Sequence, residues 1–386
     1  MDVAPLVDLV QSRHGEYLAE LEAMVNVDCG SYTVAGVNAI ADRCAERFDS
    51  SGWTVDRRPH VPVGDEPRLG DLVIGSLDGR GGTDILLVGH MDTVFDEGVA
   101  AERPFRVEDG RAYGPGVSDM KGGLLTGFFA IHALHDAGFD GFGRLTYVCN
   151  PDEEIGSPFS GPVLRELAPQ HDVAFVLEGA RENGDIVSAR KGISDFEVTF
   201  AGRAAHAGVE PERGRHAVLA ASHAVIGLQA LNGRWPGVTV NVGVVRGGTR
   251  TNVVPDRCTV QIDVRSPDHG TLEEAEREVE RICAEPHVPD VTSEVRANGW
   301  HRPMEKTDGS QRLVDLAVGI ADQLGFPLRD CATGGASDAN TTSSAGTPTI
   351  DGLGPIGGDD HGPAEWLDVT SVVPRTALLA ALLARA

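Results

Sequence analysis

Lysine is nearly absent from this 386-residue chain: only Lys121, Lys191 and Lys306 stand among its 33 basic residues. None of the three follows a glycine, so the chain carries no G-x-x-x-x-G-K-[ST] phosphate loop. Basic residues are outnumbered by 58 acidic ones, giving a formal net charge of −25. Such a surface repels a phosphate backbone, which excludes nucleic acid as a partner. The acid excess instead favours solubility and a raised local concentration of cations. Cysteine is sparse and dispersed: Cys29, Cys44, Cys149, Cys258, Cys283 and Cys331 form no C-x-x-C pair. That argues against a disulfide framework and a thiolate metal site, and for reduced thiols in a cytoplasmic protein. No apolar run approaches the roughly 20 residues needed to span a bilayer, so no membrane partner is expected. The start, MDVAPLVDLVQSRHGEYL, has no basic stretch followed by an apolar core and does not read as a secretory signal.

What is present is the length for two domains and a pattern that changes midway. Residues 5–28 read as one amphipathic helix and 36–50 as a second, stopped at Gly52. Strands are predicted at about 53–58, 71–77 and 84–89. The run ILLVG is continuously apolar, as in a strand buried on both faces. A helix is predicted over Lys121–Ala137, with further buried strands at LTYVCN (145–150) and VAFVLE (173–178). Alternation of this kind implies an open α/β sheet, whose functional residues collect at the carboxyl ends of the strands. From Ile193 the order becomes β-α-β-β-α-β, the ferredoxin-like α+β arrangement. The expected layout is therefore an α/β domain from residues 1–191 and 300–386, interrupted by an inserted domain at 192–299.

Acids and histidines mark the predicted strand ends. In GHMDTV, alternation puts His90 and Asp92 on one side, the spacing of a ligating imidazole steadied by a carboxylate or of an ordinary polar turn. Asp119, in GPGVSDMKGG, precedes a helix, where it can cap the helix or bind metal. Glu153 and Glu154 are neighbours after a buried strand, so one can face a metal while the other faces substrate as a general base; a solvated acidic turn reads equally well. Glu178 ends an apolar strand, where an acid is unusual unless paired or ligating. His361 lies in the glycine-rich GDDHGPAEW. Two imidazoles with several carboxylates suit zinc or a similar divalent ion, and their joint occurrence points to a two-metal hydrolase. In the inserted segment, Arg265 can fork onto a substrate carboxylate or form a surface ion pair. His206 and Asn252 lie in the same segment. His132 and His135 read as surface or second-layer histidines, since no carboxylate motif accompanies them. The G-x-S segments at Gly116, Gly192 and Gly335 lack the closing glycine of a nucleophile elbow, which argues against a serine hydrolase.

Taken in order, GHMDTV, GPGVSDMKGG, DEEIGS, LEGA, AHAG, TNVVP, DVR, TGGASDAN and the late histidine resemble the M20 family of metallopeptidases, most closely its glutamate carboxypeptidase branch. The resemblance runs from about residue 84 to the C-terminus. It implies a zinc-peptidase catalytic domain with an inserted lid and dimerisation domain. It further implies two zinc ions, replaceable by cobalt or manganese, bridged by Asp119. His90 and Glu178 would complete one metal, and Glu154 and His361 the other. Asp92 would orient His90, and Glu153 would act as general base and then acid. His206 would reach the partner subunit's active site and polarise the scissile carbonyl, while Asn252 and Arg265 hold the substrate. A cis peptide after Asp119 is also implied. The expected activity is cleavage of an amide beside a free carboxylate in a small peptide or N-acyl amino acid, by a homodimer. An N-acyl or N-carbamoyl amino-acid deacylase is the near alternative, and a non-catalytic metal-stabilised binding protein a distant one. Two features depart from the relatives: the acids Asp359 and Asp360 before His361, and a single basic residue, Arg181, soon after Glu178.

Overall fold

The computed structural model describes residues 3–386 (Trp300 by its backbone alone) and divides into two compact units. The first comprises the chain up to Ser188, Lys306–Ala332 and Ser337–Ala386. Its centre is a six-stranded mixed sheet in the order Thr54–Arg58, Leu72–Asp78, Arg144–Asn150, Ile85–His90, Val173–Val176, Thr349–Ile350. Every residue of Ile85–His90 is buried, as its unbroken apolar run requires of a strand covered on both faces.

Register decides what gathers at the strand ends. Ile85–His90 runs parallel to Arg144–Asn150, with His90 opposite Asn150. It also runs parallel to Val173–Val176, with Val88 opposite Val176. His90 and Glu178 therefore each lie two residues beyond a matched pair, and Glu153 and Glu154 follow Asn150 by one turn. Parallel pairing places all of them at one edge of the sheet.

The N-terminal helix predicted over 5–28 is instead two, Ala4–Ser12 and His14–Val25. Arg13 between them leaves helical geometry (φ −106°, ψ 6°), two residues before Gly15. The Arg13 guanidinium donates to Asp136 at 2.9 and 3.2 Å, on the far end of the helix Gly123–Asp136. That helix starts later than Lys121 because Val117–Gly122 forms a wider turn, with Asp119 and Met120 in non-helical conformations. The Asp119–Met120 peptide bond is cis.

The second unit, Ala189–Glu305 with Thr333–Ala336, holds an antiparallel sheet in the order Thr239–Gly247, Arg257–Ser266, Gly192–Ala201, Thr292–His301. Buried and half-buried residues alternate along Gly192–Ala201, so one face packs on the helices Ala217–Gln229 and His269–Ala284. The element order and strand order are those of the ferredoxin-like arrangement. Its stems extend beyond residues 192–299 because Arg190 and Met304 exchange backbone hydrogen bonds (3.0 and 3.1 Å) and the Lys191 amide donates to the Thr333 carbonyl.

Arg375, on the last helix Val372–Arg385, is fully buried and donates to the carbonyls of Gly354 (3.0 Å), Gly184 (3.2 Å) and Gly352. Burial lowers its pKa only to about 10, so it stays cationic at neutral pH. Replacing Arg375 with Met strands two buried carbonyls and a half-buried one and should cost about 3–5 kcal/mol. The check is the midpoint of chemical denaturation; a loss under ~1 kcal/mol would show that the loops do not depend on this clamp.

Candidate metal centre

His90 is buried at the end of its strand, and its Nδ1 faces the Asp92 carbonyl oxygen at 2.9 Å. A carbonyl only accepts, so the neutral ring carries its proton on Nδ1 and leaves Nε2 as a lone-pair donor. The orientation expected from the Asp92 carboxylate comes chiefly from its backbone oxygen, since the nearest carboxylate contact is 3.5 Å. That carboxylate has other work. It accepts from Ser31 Oγ (2.6 Å) and from the backbone amides of Glu153 (3.1 Å) and Glu154 (3.2 Å).

His90 Nε2 lies 3.1 Å from Asp119 Oδ1 and 3.7 Å from Glu178 Oε1. On the other side of the same carboxylate, His361 Nε2 lies 3.1 Å from Asp119 Oδ2 and 3.3 Å from Glu154 Oε2. Asp119 thus offers one oxygen to each of two histidine–glutamate pairs. Glu153 joins the first group: ligand atoms of His90, Glu153 and Glu178 fall within 4.8 Å of one another, as do those of His90, Asp119 and Glu154. Glu154 Oε1 is buried and has no hydrogen-bond partner among the described residues. A buried carboxylate oxygen left this way is costly unless a cation meets it.

The protonation pattern follows from this crowding. Burial pushes the Glu153 carboxyl well above its usual range, with Glu178 and Asp338 adding to the effect against His90. Burial likewise raises Glu154 and Glu178, the latter to about 7. Burial would raise Asp119 too, but hydrogen bonds from His361 and His90 outweigh it and hold the carboxyl far below the usual range. His361 is raised to about 10 by its bonds to Asp119 and Glu154. For His90 burial acts downward, but Glu178, Asp119 and Asp92 together raise it well above 6.5. The acids thus hold both imidazoles toward their cationic forms.

Glu365 is a site residue that inspection of the sequence missed. It is buried, and its carboxylate accepts from the amides of Gly116 (2.9 Å), Ser118 (2.9 Å) and Asp119 (3.0 Å). It therefore holds the turn that presents Asp119. The available signal was its place: an acid four residues after His361, directly before the apolar strand Trp366–Asp368. Asp360 also comes close, bonded to Ser118 and raised by burial and by Asp119. With Asp359, Arg181, Glu182 and Asp185 it lines a cavity of about 400 Å³.

The remaining predicted residues lie in the second unit. His206 is exposed, its Nδ1 accepting from the Gly208 amide at 3.2 Å. Asn252 is its neighbour through the Ala207 amide, which donates to the Asn252 carbonyl at 3.0 Å. Arg265 is half-buried; its Nε donates to both oxygens of Asp263 at 3.1 Å and its Nη1 to the Gly334 carbonyl at 3.0 Å. His135 is exposed, while His132 is partly buried, with Ser51 Oγ 3.4 Å from Nε2.

A family model described as peptidase family M20/M25/M40 matches residues 86–385. Carboxypeptidase G2 of Pseudomonas sp. (strain RS-16) is 31% identical over 366 residues, covering 94% of this chain and 87% of the relative. A succinyl-diaminopimelate desuccinylase of Xanthomonas campestris pv. campestris (strain 8004) is 26% identical over 364 residues, 88% of this chain and 92% of the relative. Among solved structures, a tripeptidase from Staphylococcus aureus subsp. aureus Mu50 shares the fold, with a TM-score of 0.80 at 20% identity over 96% of this chain and 98% of that one.

Two outcomes follow from the geometry. Loading the metal-free protein with a divalent cation should release protons, because His90 and His361 must give theirs up to ligate. Calorimetric heats should differ between buffers of different ionisation enthalpy, and affinity should rise with pH through neutrality toward about pH 10, where His361 titrates; buffer-independent heats would contradict the protonation pattern. Glu365→Gln should weaken divalent-metal affinity about tenfold or more, read by equilibrium dialysis.

Proposed function

Because the chain belongs to peptidase family M20/M25/M40, a family of metal-dependent hydrolases, we propose that it cleaves an amide bond beside a free carboxylate, releasing a C-terminal amino acid such as glutamate. The observation that carries this reading is the Asp119 carboxylate, whose two oxygens each face a separate histidine–glutamate pair. That donor set fits two divalent cations, zinc being the proposed pair: His90 and Glu178 on one side, Glu154 and His361 on the other, Asp119 between. When bound, such ions polarise a carbonyl and lower the pKa of water.

The protein's own groups do the rest. Glu153, beside His90 and Glu178 and desolvated, takes the proton of the attacking water. The water oxygen bonds to the carbonyl carbon, the C–N bond breaks, and Glu153 passes its proton to the departing amine. Asp92 keeps the base in place by holding the Glu153 and Glu154 amides. Arg265, aimed by Asp263 and the Gly334 carbonyl, is the proposed anchor for the substrate carboxylate, and Asn252 a polar contact beside it. His206, exposed on the second unit, is the proposed donor to the carbonyl oxygen, supplied by a partner subunit. A homodimer through the second unit is supported by its exposed apolar side chains Leu219, Ile226 and Val245. A cytoplasmic setting is supported by six cysteines in the thiol form. Among the described residues no helix is long and apolar enough to cross a membrane.

A second reading, hydrolysis of N-acyl or N-carbamoyl amino acids by the same groups, is favoured by the likeness to the desuccinylase. A panel of peptides ending in glutamate, run against acylated and carbamoylated amino acids, separates the two by kcat/KM. Chelation should abolish turnover, and zinc or cobalt should restore it; full activity without metal would reject the mechanism. Glu153→Gln should lower kcat about 10²–10⁴-fold with metal content unchanged. Near-normal turnover in that variant would remove Glu153 as the base. Ile226→Glu should shift the protein to a monomer in sedimentation if the second unit forms the dimer.

A further inference from the structure

Asp338 takes no part in the ligand set or in any step above, yet its side chain is only 2% exposed. It opens the short helix Asp338–Ser344, and the residue before it, Ser337, is fixed as the cap of that helix. Ser337 is fixed in turn by Asn340, whose Oδ1 accepts from its amide at 3.1 Å, and by Asp351, which accepts from Ser337 Oγ at 2.7 Å. From this anchored base one Asp338 oxygen accepts from Asn150 Nδ2 and the other from Ser157 Oγ at 2.6 Å.

Those two partners are the ends of one turn. Asn150 closes the strand Arg144–Asn150, directly opposite His90. Ser157 closes the turn after Glu153–Ile155 and sits at φ +54°, a left-handed conformation that disfavours any residue with a side chain. Glycine would suit that backbone better but could not donate to Asp338. Between the two lie Glu153 and Glu154. Asp92 grips the middle of the turn through the Glu153 and Glu154 amides, and Asp338 closes its ends.

We propose that Asp338 is a positioning residue for the general base: by tying Asn150 to Ser157 it holds the Glu153 carboxylate within reach of the proton it removes. This rests on reading Glu153 as the base. Proton transfer tolerates little displacement, and a shift of about 1 Å can cost roughly a hundredfold in rate. Asp338 acts through the turn and touches neither substrate nor the reacting atoms.

The test uses the zinc-loaded full chain. Asp338→Asn leaves one acceptor oxygen and an NH2 group for two partners that both donate, so either Asn150 or Ser157 must turn round or lose its bond. It should lower kcat about tenfold to a hundredfold, with KM and zinc content close to wild type. Exchanging donor and acceptor in the double variant Asn150→Asp with Asp338→Asn should recover at least about tenfold of that loss. Ser157→Ala removes one of the two bonds and should give a smaller fall in kcat in the same direction, which keeps the idea testable if Asp338→Asn folds poorly. Wild-type kcat in both Asp338→Asn and Ser157→Ala would overturn the proposal. So would a loss that comes with depleted zinc and is not repaired by the exchange. Glu153→Gln, measured alongside, tells the two failures apart: if it is inactive while Asp338→Asn is fully active, the positioning role fails and the base assignment stands. If Glu153→Gln turns over normally, the base assignment falls and the positioning role with it.

Discussion

Two imidazoles meeting one carboxylate, each 3.1 Å from a different oxygen of Asp119, is the arrangement on which the rest of the first unit depends. Around it stand Glu153, Glu154, Glu178 and Asp92, several of them desolvated, and their mutual repulsion makes the pocket unfavourable without positive charge. That charge can come from protonated histidines or from a bound cation, which would also meet Glu154 Oε1. The family membership and the pocket's electrostatics therefore make the same demand.

A second set of buried acids meets the cost of burial differently. Glu365 accepts three backbone amides, and Asp92 two amides and a hydroxyl. Asp152 accepts from the Phe159 amide at 2.6 Å and the Ser160 amide at 3.3 Å. Backbone N–H groups can hold a carboxylate without a counter-charge, and in doing so they fix the loops that carry the ligands. Arg375 is the converse, a buried cation held by carbonyls. A chain with three lysines thus shapes its central loops largely through acids and peptide groups.

Much of the fold was legible for identifiable reasons. Ile85–His90 announces itself because a strand covered on both faces must be apolar throughout. Gly192–Ala201 does so because a sheet with one packed face must alternate. The break at Arg13 has only Gly15 as a local mark, and the ion pair with Asp136 that accompanies it joins residues more than a hundred positions apart. The strands Arg106–Glu108 and Arg111–Tyr113 were invisible for another reason: three residues are too few to show a period. The stems of the second unit escaped notice because Arg190 and Met304 find each other only through backbone groups, which are the same for every residue type.

By itself the sequence determined the donor chemistry: two histidines and a run of acids at strand ends, in an order specific enough to resemble one family. Residue type and strand position are local properties, and local properties survive in a linear text. Only the tertiary structure decided which Asp119 oxygen faces which histidine, that the Asp92 carboxylate serves the Glu153–Glu154 amides more than His90, and that Glu365 and Asp338 brace the turns between them. Glu365 and Asp119 stand 246 positions apart, and Asp338 and Ser157 are separated by 181. Contacts at that range are chosen by how sheet and helices pack, and they leave no spacing in the chain from which to read them.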